Sequence, residues 1–156
     1  SIQELEIVKD LAYKIWPIAY SEILSSSQLD YMLNKFYSVE ALENQMKLGH
    51  VFLLLGEPNH NLGFASYQLN YEPNTCKLHK IYIDSTLQGK GNGKKLLQEV
   101  ISNAQQNYQK SLILNVNKYN KAITFYQAQG FKIIKEEVID IGNDYVMDDY
   151  VMELGF

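Results

Sequence analysis

The hydrophobic pattern of the chain changes period once, near residue 50, and that change dictates what it can fold into. Before it, apolar residues recur every three or four positions. Ile2, Leu5, Val8, Leu11, Ala12, Ile15 and Trp16 share one face of a helix over 2–19, because a 3.6-residue period gathers such positions into one stripe. Pro17 is expected to bend or end that helix, since it lacks an N–H and crowds the preceding turn. Ser27 with Asp30 reads as the opening of a second helix carrying Leu29, Met32, Leu33 and Phe36 inward. Ser38 reads as the cap of a third, with Ala41, Leu42, Met46 and Leu48.

After residue 50, strand-length apolar runs take over. Residues 51–55, 62–69 and 75–83 read as three strands separated by turn chemistry at 56–61 and 70–74. A helix over 94–109 follows, with Leu96, Leu97, Val100, Ile101 and Ala104 inward, then a strand at 112–116. A helix over 120–129 is stopped by Gly130, where a left-handed cap favours glycine. Two last strands, 131–141 and 145–154, flank a Gly142-Asn143 turn. Crossover helices require parallel or mixed pairing. The expected architecture is therefore α/β (α+β): one domain over 1–156, a mixed sheet with helices on both faces.

Composition narrows the function classes. At 156 residues and 46% apolar content the chain builds one globular core. No apolar run approaches the roughly 20 residues of a membrane span, and no signal-peptide pattern opens the sequence. A lone cysteine, Cys76, suits a reducing cytoplasm. A net charge of −4 argues against nucleic acid as the partner. The scattered His, Cys and carboxylates lack metal-ligand spacing.

The segment Gln88-Gly89-Lys90-Gly91-Asn92-Gly93-Lys94-Lys95 lies between a strand and a helix. Its glycines let backbone approach a ligand, and the helix start presents free N–H groups to an anion such as a pyrophosphate. It fails as a P-loop, because Lys95 stands where the hydroxyl that follows the P-loop lysine would be. It fails as a dinucleotide fingerprint, because Lys94 replaces the third glycine. What remains is Gln-x-x-Gly-x-Gly at Gln88, Gly91 and Gly93.

In that loop, and in Asn120, Ala122, Phe125-Tyr126 and Gly130-Phe131, the sequence resembles the GNAT superfamily of acetyl-CoA-dependent N-acetyltransferases. The strand 77–83 and the closing strands are similar to the family's as well, so the likeness covers about 51–154. Ile15-Trp16-Pro17 and Tyr31-Met32-Leu33 most resemble its PaiA-like polyamine acetyltransferase branch. The resemblance implies a mixed, mostly antiparallel sheet. The family's opening strand is cut off, disordered or absent, because the sequence begins in helical periodicity.

It also implies acetyl-CoA as co-substrate and no metal. The coenzyme would lie against Ile81, Tyr82 and Ile83, the loop residues Gln88, Gly89, Lys90, Gly91, Asn92, Gly93 and Lys94, and Asn120. By the same resemblance Tyr126 is the general acid toward the coenzyme sulfur. A lysine-like acceptor is almost wholly protonated at pH 7, so a base is expected. His79, Glu72, Asp84 and the carboxylates of the last hairpin are the candidates, with His79 singled out on the central strand. Trp16 and Tyr31 are candidate walls for the acceptor, a primary amine of a polyamine-like small molecule or a peptide. The acidic hairpin, from Glu136 to Glu153, either attracts a cationic acceptor or is a solvated edge, which also suits a homodimer. A non-catalytic acyl-CoA-binding module of the same fold is the alternative.

Overall fold

The structure, a computed structural model, describes residues 1–57, 60–87 and 91–156. Three helices come first: α1 (Ile2–Ala19), α2 (Ser26–Tyr37) and α3 (Val39–Lys47). They are followed by β1 (His50–Glu57), β2 (His60–Glu72), β3 (Thr75–Ile83), a short 3-10 turn (Ser85–Leu87) and α4 (Asn92–Gln106). The chain ends with β4 (Ser111–Asn117), α5 (Ala122–Ala128), β5 (Lys132–Gly142) and β6 (Tyr145–Gly155). The six strands form one sheet in the order β1-β2-β3-β4-β6-β5. Its neighbours are antiparallel except β3 and β4, which are parallel and joined across α4. This is the mixed, mostly antiparallel sheet with helices on both faces that the sequence predicts. Among the described residues, no helix is long and apolar enough to cross a membrane.

Strand alternation divides the core between the two faces. On one face Ala65, Tyr67, Cys76, Leu78, Leu112 and Leu114 pack against Leu96, Leu97, Val100 and Ala104 of α4. On the other, Phe64 and Ile141 pack under Leu5, Val8, Ala12, Trp16, Leu33 and Leu42 of the N-terminal helices.

Local chemistry explains most boundaries. Ser1 and Glu4 form a reciprocal cap on α1, and Ser38 Oγ accepts from Ala41 N at 3.1 Å. Pro17 does not end α1, which continues to Ala19. The carbonyl that loses its partner is that of Tyr13, four residues back on the exposed side, where water can serve it. The cap of α2 is Ser25, not Ser27: its Oγ accepts from Gln28 N at 3.2 Å, and Ser27 lies inside the helix. Adjacent serines carry the same capping chemistry, so the choice falls to where the chain turns out of α1.

Helix α4 ends at Gln106, three residues earlier than its pattern predicts, in a paired-hydrogen-bond cap. Tyr108 N reaches Gln105 O and Gln109 N reaches Ala104 O. Tyr108 takes the left-handed conformation usually left to glycine (φ 60°), so the sequence carries no glycine stop signal there. The freed Gln109 side chain accepts from Asn70 N at 2.9 Å and fixes the end of β2.

The same cap, this time with glycine, closes α5. Gly130 N reaches Gln127 O and Phe131 N reaches Tyr126 O, with Gly130 at φ 100°. The Phe131 ring then packs edge-on against Tyr126, 5.7 Å between centroids. A Cβ at Gly130 would sit 3.2 Å from Leu154 Cδ1 in an unfavourable backbone region. Gly130→Ala is expected to cost roughly 1–2 kcal/mol, read as a lower urea midpoint at unchanged slope.

Candidate active site

The β3–β4 ladder runs from Thr75–Ser111 to Leu78–Leu114 and stops. Beyond it, β3 stays paired with β2 as far as Ile83, and β4 stays paired with β6 as far as Asn117. The two strands therefore part in the middle of the sheet. A bulge marks the point of parting: Ser66 faces Lys80 and Tyr67 faces Leu78, leaving His79 as the extra residue of β3. A cavity of about 620 Å³ crosses the gap, lined by β3, β4, β6, α5 and the N-terminal helices, within the range of small-molecule sites.

On one side of the sheet β3 leads through the 3-10 turn toward the start of α4. Gly91 holds the left-handed conformation (φ 79°), and no side chain caps the helix. A Cβ at Gly91 would meet nothing within 4 Å. As at any helix start, the first N–H groups of α4 lack intrahelical partners. Asn92 Nδ2 donates to Leu87 O at 3.4 Å, and Lys94 is exposed. Gln88, Gly89 and Lys90 lie outside the described residues. Ile81, Tyr82 and Asn120 line the cavity, and Ile83 is buried at its α4 side. Asn120 Oδ1 accepts from Ala122 N at 2.8 Å, capping α5.

Tyr126 is buried and lines the cavity from α5. Burial pushes its phenol up, with a smaller contribution from Tyr20, so it holds its proton at neutral pH. Asp149, 2% exposed and on β6, lines the same cavity. Burial raises its carboxyl above the usual range, and the charges of Glu137 and Asp148 add to that. A 3.4 Å hydrogen bond from Asn115 Nδ2 opposes the shift. A buried carboxyl and a buried phenol lining one cleft make a candidate site for moving protons. Asp149 was visible in the sequence only as one of seven acidic residues on the hairpin. The signal that sets it apart is register: it pairs with Asn117 of β4, and by strand alternation it shares the side of Tyr145 and Met147, which is turned to the N-terminal helices.

His79 also lines the cavity, but its chemistry is constrained. Gln68 Nε2 donates to Leu48 O, which turns Gln68 Oε1 toward His79 Nε2 at 2.9 Å. That nitrogen therefore carries the proton. The His79 ring stacks on His50 at 3.9 Å, and burial, then His50 and the lysines Lys77 and Lys80, lower its pKa to about 2. Such an imidazole is a weak proton acceptor. Trp16 lines the cavity. Tyr31 does not: its hydroxyl donates to Ile141 O at 2.8 Å, and its ring packs on Tyr145, fixing α2 to the last hairpin. Glu72 is exposed at the end of β2. Much of the hairpin's charge is matched, with Glu136 and Asp148 both 3.0 Å from Lys118 Nζ.

Asp84 serves structure. It is 1% exposed. Its carboxylate accepts from Lys14 Nζ at 2.5 Å and from Thr86 N at 3.0 Å. It thereby fixes the turn that leads from β3 toward α4. Among the described residues no cluster of three or more His, Cys, Asp or Glu could hold a metal.

A family model described as an acetyltransferase (GNAT) domain matches residues 21–151. The chain belongs to this family of N-acetyltransferases. The spermidine N(1)-acetyltransferase of Thermoplasma acidophilum is 27% identical over 158 residues, covering 95% of this chain and 92% of that protein. The crystal structure of the PaiA N-acetyltransferase from the same organism, in complex with coenzyme A, superposes with a TM-score of 0.83 at 26% identity. It covers all of this chain and 95% of that one. The ribosomal-protein-S18-alanine N-acetyltransferase of Escherichia coli shares the fold at 18% identity, with a TM-score of 0.72 over 98% of this chain and 88% of that one.

The partners of Asp84 hold its carboxyl down at about 2, the Lys14 hydrogen bond first and Thr86 N next. A lowered folded pKa gives stability that is present above the unfolded value near 4 and lost as pH falls toward 2. Asp84→Asn is expected to lower the melting temperature at pH 7 and to flatten the loss of stability between about pH 4 and pH 2, followed by thermal melts across that range.

Proposed function

We propose that this chain moves the acetyl group of acetyl-CoA directly to a primary amine of a small molecule or peptide, both substrates being bound at once. The observation that carries the reading is the parting of β3 from β4 past Leu78 and Leu114, with Tyr126 and Asp149 lining the one cavity across it. The open edge of β3 over 79–82 offers backbone groups to the amides of the coenzyme's arm. The bare start of α4 at Gly91 offers N–H groups to its pyrophosphate.

Three steps follow from the groups present. The Asp149 carboxylate takes a proton from the acceptor ammonium, directly or through water. The neutral nitrogen attacks the thioester carbon, forming the C–N bond while a backbone N–H of β3 supports the carbonyl oxygen. The C–S bond then breaks as Tyr126 gives its proton to the leaving sulfur, and the second proton of the attacking nitrogen passes to the Tyr126 phenolate, directly or through water, leaving a neutral amide and a free thiol; Asp149 returns its proton to solvent. We assign the base to Asp149 and not to His79, because His79 Nε2 already donates to Gln68 and its stacked ring is hard to protonate.

Thiol release from acetyl-CoA against a panel of polyamines, amino acids and peptides tests the reading. Tyr126→Phe is expected to lower kcat roughly 10²-fold with coenzyme affinity unchanged. Coenzyme binding without turnover on any amine would assign the chain to a non-catalytic module instead.

Asp149→Asn separates catalysis from folding. A carboxyl whose folded pKa is raised destabilises the fold once pH exceeds that value. The amide removes this penalty, so the melting temperature at pH 8 is expected to hold or rise. Over the same variant kcat/KM falls roughly 10²-fold or more, and the acid limb of its pH profile, which reports deprotonation of Asp149, disappears. A fall in both stability and rate would point to a structural carboxylate.

A further inference from the structure

Resting on the acetyltransferase reading, one feature of the cavity bears on the acceptor class: its lining carries both signs of charge, the carboxylates Asp140 and Asp149 and the lysines Lys35, Lys77 and Lys80. Lys77 lies near enough to Asp149 to act on its carboxyl. Lys80 stands on β3, where the bulge at His79 brings it onto the same sheet face as Lys77. Lys80 Nζ rests over the Tyr37 ring at 5.1 Å. Among the described residues, no carboxylate comes within ion-pair distance of Lys77 or Lys80, whereas Lys14, Lys118, Lys121 and Lys135 each have one. A further polar atom of a lining residue, His50 Nδ1, is buried without a hydrogen-bond partner among the described residues. A partly buried ammonium and an idle imidazole nitrogen incur a desolvation penalty that an anionic guest would offset.

We propose that the acceptor carries a carboxylate as well as its amine, with Lys80 receiving the carboxylate while the amine lies toward Asp149. The order of strands sets the span. Lys80 and Asp149 lie on strands with β4 between them, so two strand spacings separate them, about 10 Å before the gap widens the distance. The lysine side chain takes up part of that span. The acceptor class that fits is an ω-amino acid or a short peptide with a free C-terminus. A polyamine, cationic along its whole length, would place an ammonium against Lys80.

Burial lowers the Lys80 pKa to about 8, which leaves it a cation at pH 7 and free to pair there.

Three acceptors with the same reactive amine isolate the carboxylate: lysine, lysinamide and cadaverine, with spermidine and a lysine-terminated dipeptide beside them. Initial rates of thiol release from acetyl-CoA give kcat/KM for each. Lysine or the dipeptide is expected to exceed its carboxamide roughly ten- to hundredfold, the range of a charge-assisted hydrogen bond. The ratio is expected to fall toward one in Lys80→Met and to return in Lys80→Arg, with melting curves showing that both variants are folded. A ratio near one in the natural protein, or spermidine as the best acceptor, overturns the inference and leaves acetyl transfer standing. An acid-to-amide ratio unchanged in Lys80→Met overturns the role of Lys80. Absence of thiol release with every amine overturns the acetyl-transfer reading itself.

Discussion

Four residue pairs hold β3 to β4, and then the sheet opens along its middle. Buried backbone groups need partners, so a sheet that parts in its interior is stable only where something else holds each side. β2 holds one side through its ladder with β3 as far as Ile83, and β6 holds the other through its ladder with β4. α4 closes the floor with Leu96, Leu97 and Val100, and the N-terminal helices roof the opposite face. The Asp84 turn ties β3 to α1 at the open end. Each of these supports can be seen as what makes the gap tolerable. The gap in turn sets where an amide-bearing ligand can complete the hydrogen bonding.

The electrostatics follow from the same opening. Tyr20 and Tyr82 hydroxyls meet at 2.8 Å, and burial pushes the Tyr20 phenol up to about 12. The cavity is thus lined by neutral phenols as well as by the charged groups of β3 and β6. Burial strengthens whatever a substrate brings to those charges. It also keeps Tyr126 protonated and raises the Asp149 carboxyl above the ordinary carboxylate range.

Most of the element order was legible in the sequence, because periodicity, Gly130 and Ser38 carry direct physical signals. The misreadings have identifiable causes. The end of α4 was hidden because Tyr108 occupies a position where glycine would have announced it. The α2 cap was ambiguous among Ser25, Ser26 and Ser27, which share one chemistry. The loop and the block around Tyr126 were legible as a family pattern. The parting of the strands was not, since hydrophobic alternation continues on both sides of it and only register reveals where pairing stops. Asp149 and Lys80 were unreadable for the same reason. Their roles depend on a bulge at His79 and on which of the adjacent Asp148 and Asp149 turns inward.

The cap that closes α5 has a bearing on how this family is read. Gly130 and Phe131 are there to end a helix and to brace an aromatic ring, tasks that the fold demands whether or not any acetyl group moves. A descendant that had abandoned chemistry would keep both under the same selective pressure for a folded chain. Within Phe-Tyr-x-x-x-Gly-Phe, then, what this cap does not itself require shrinks to a single oxygen atom, the hydroxyl that tells tyrosine from phenylalanine.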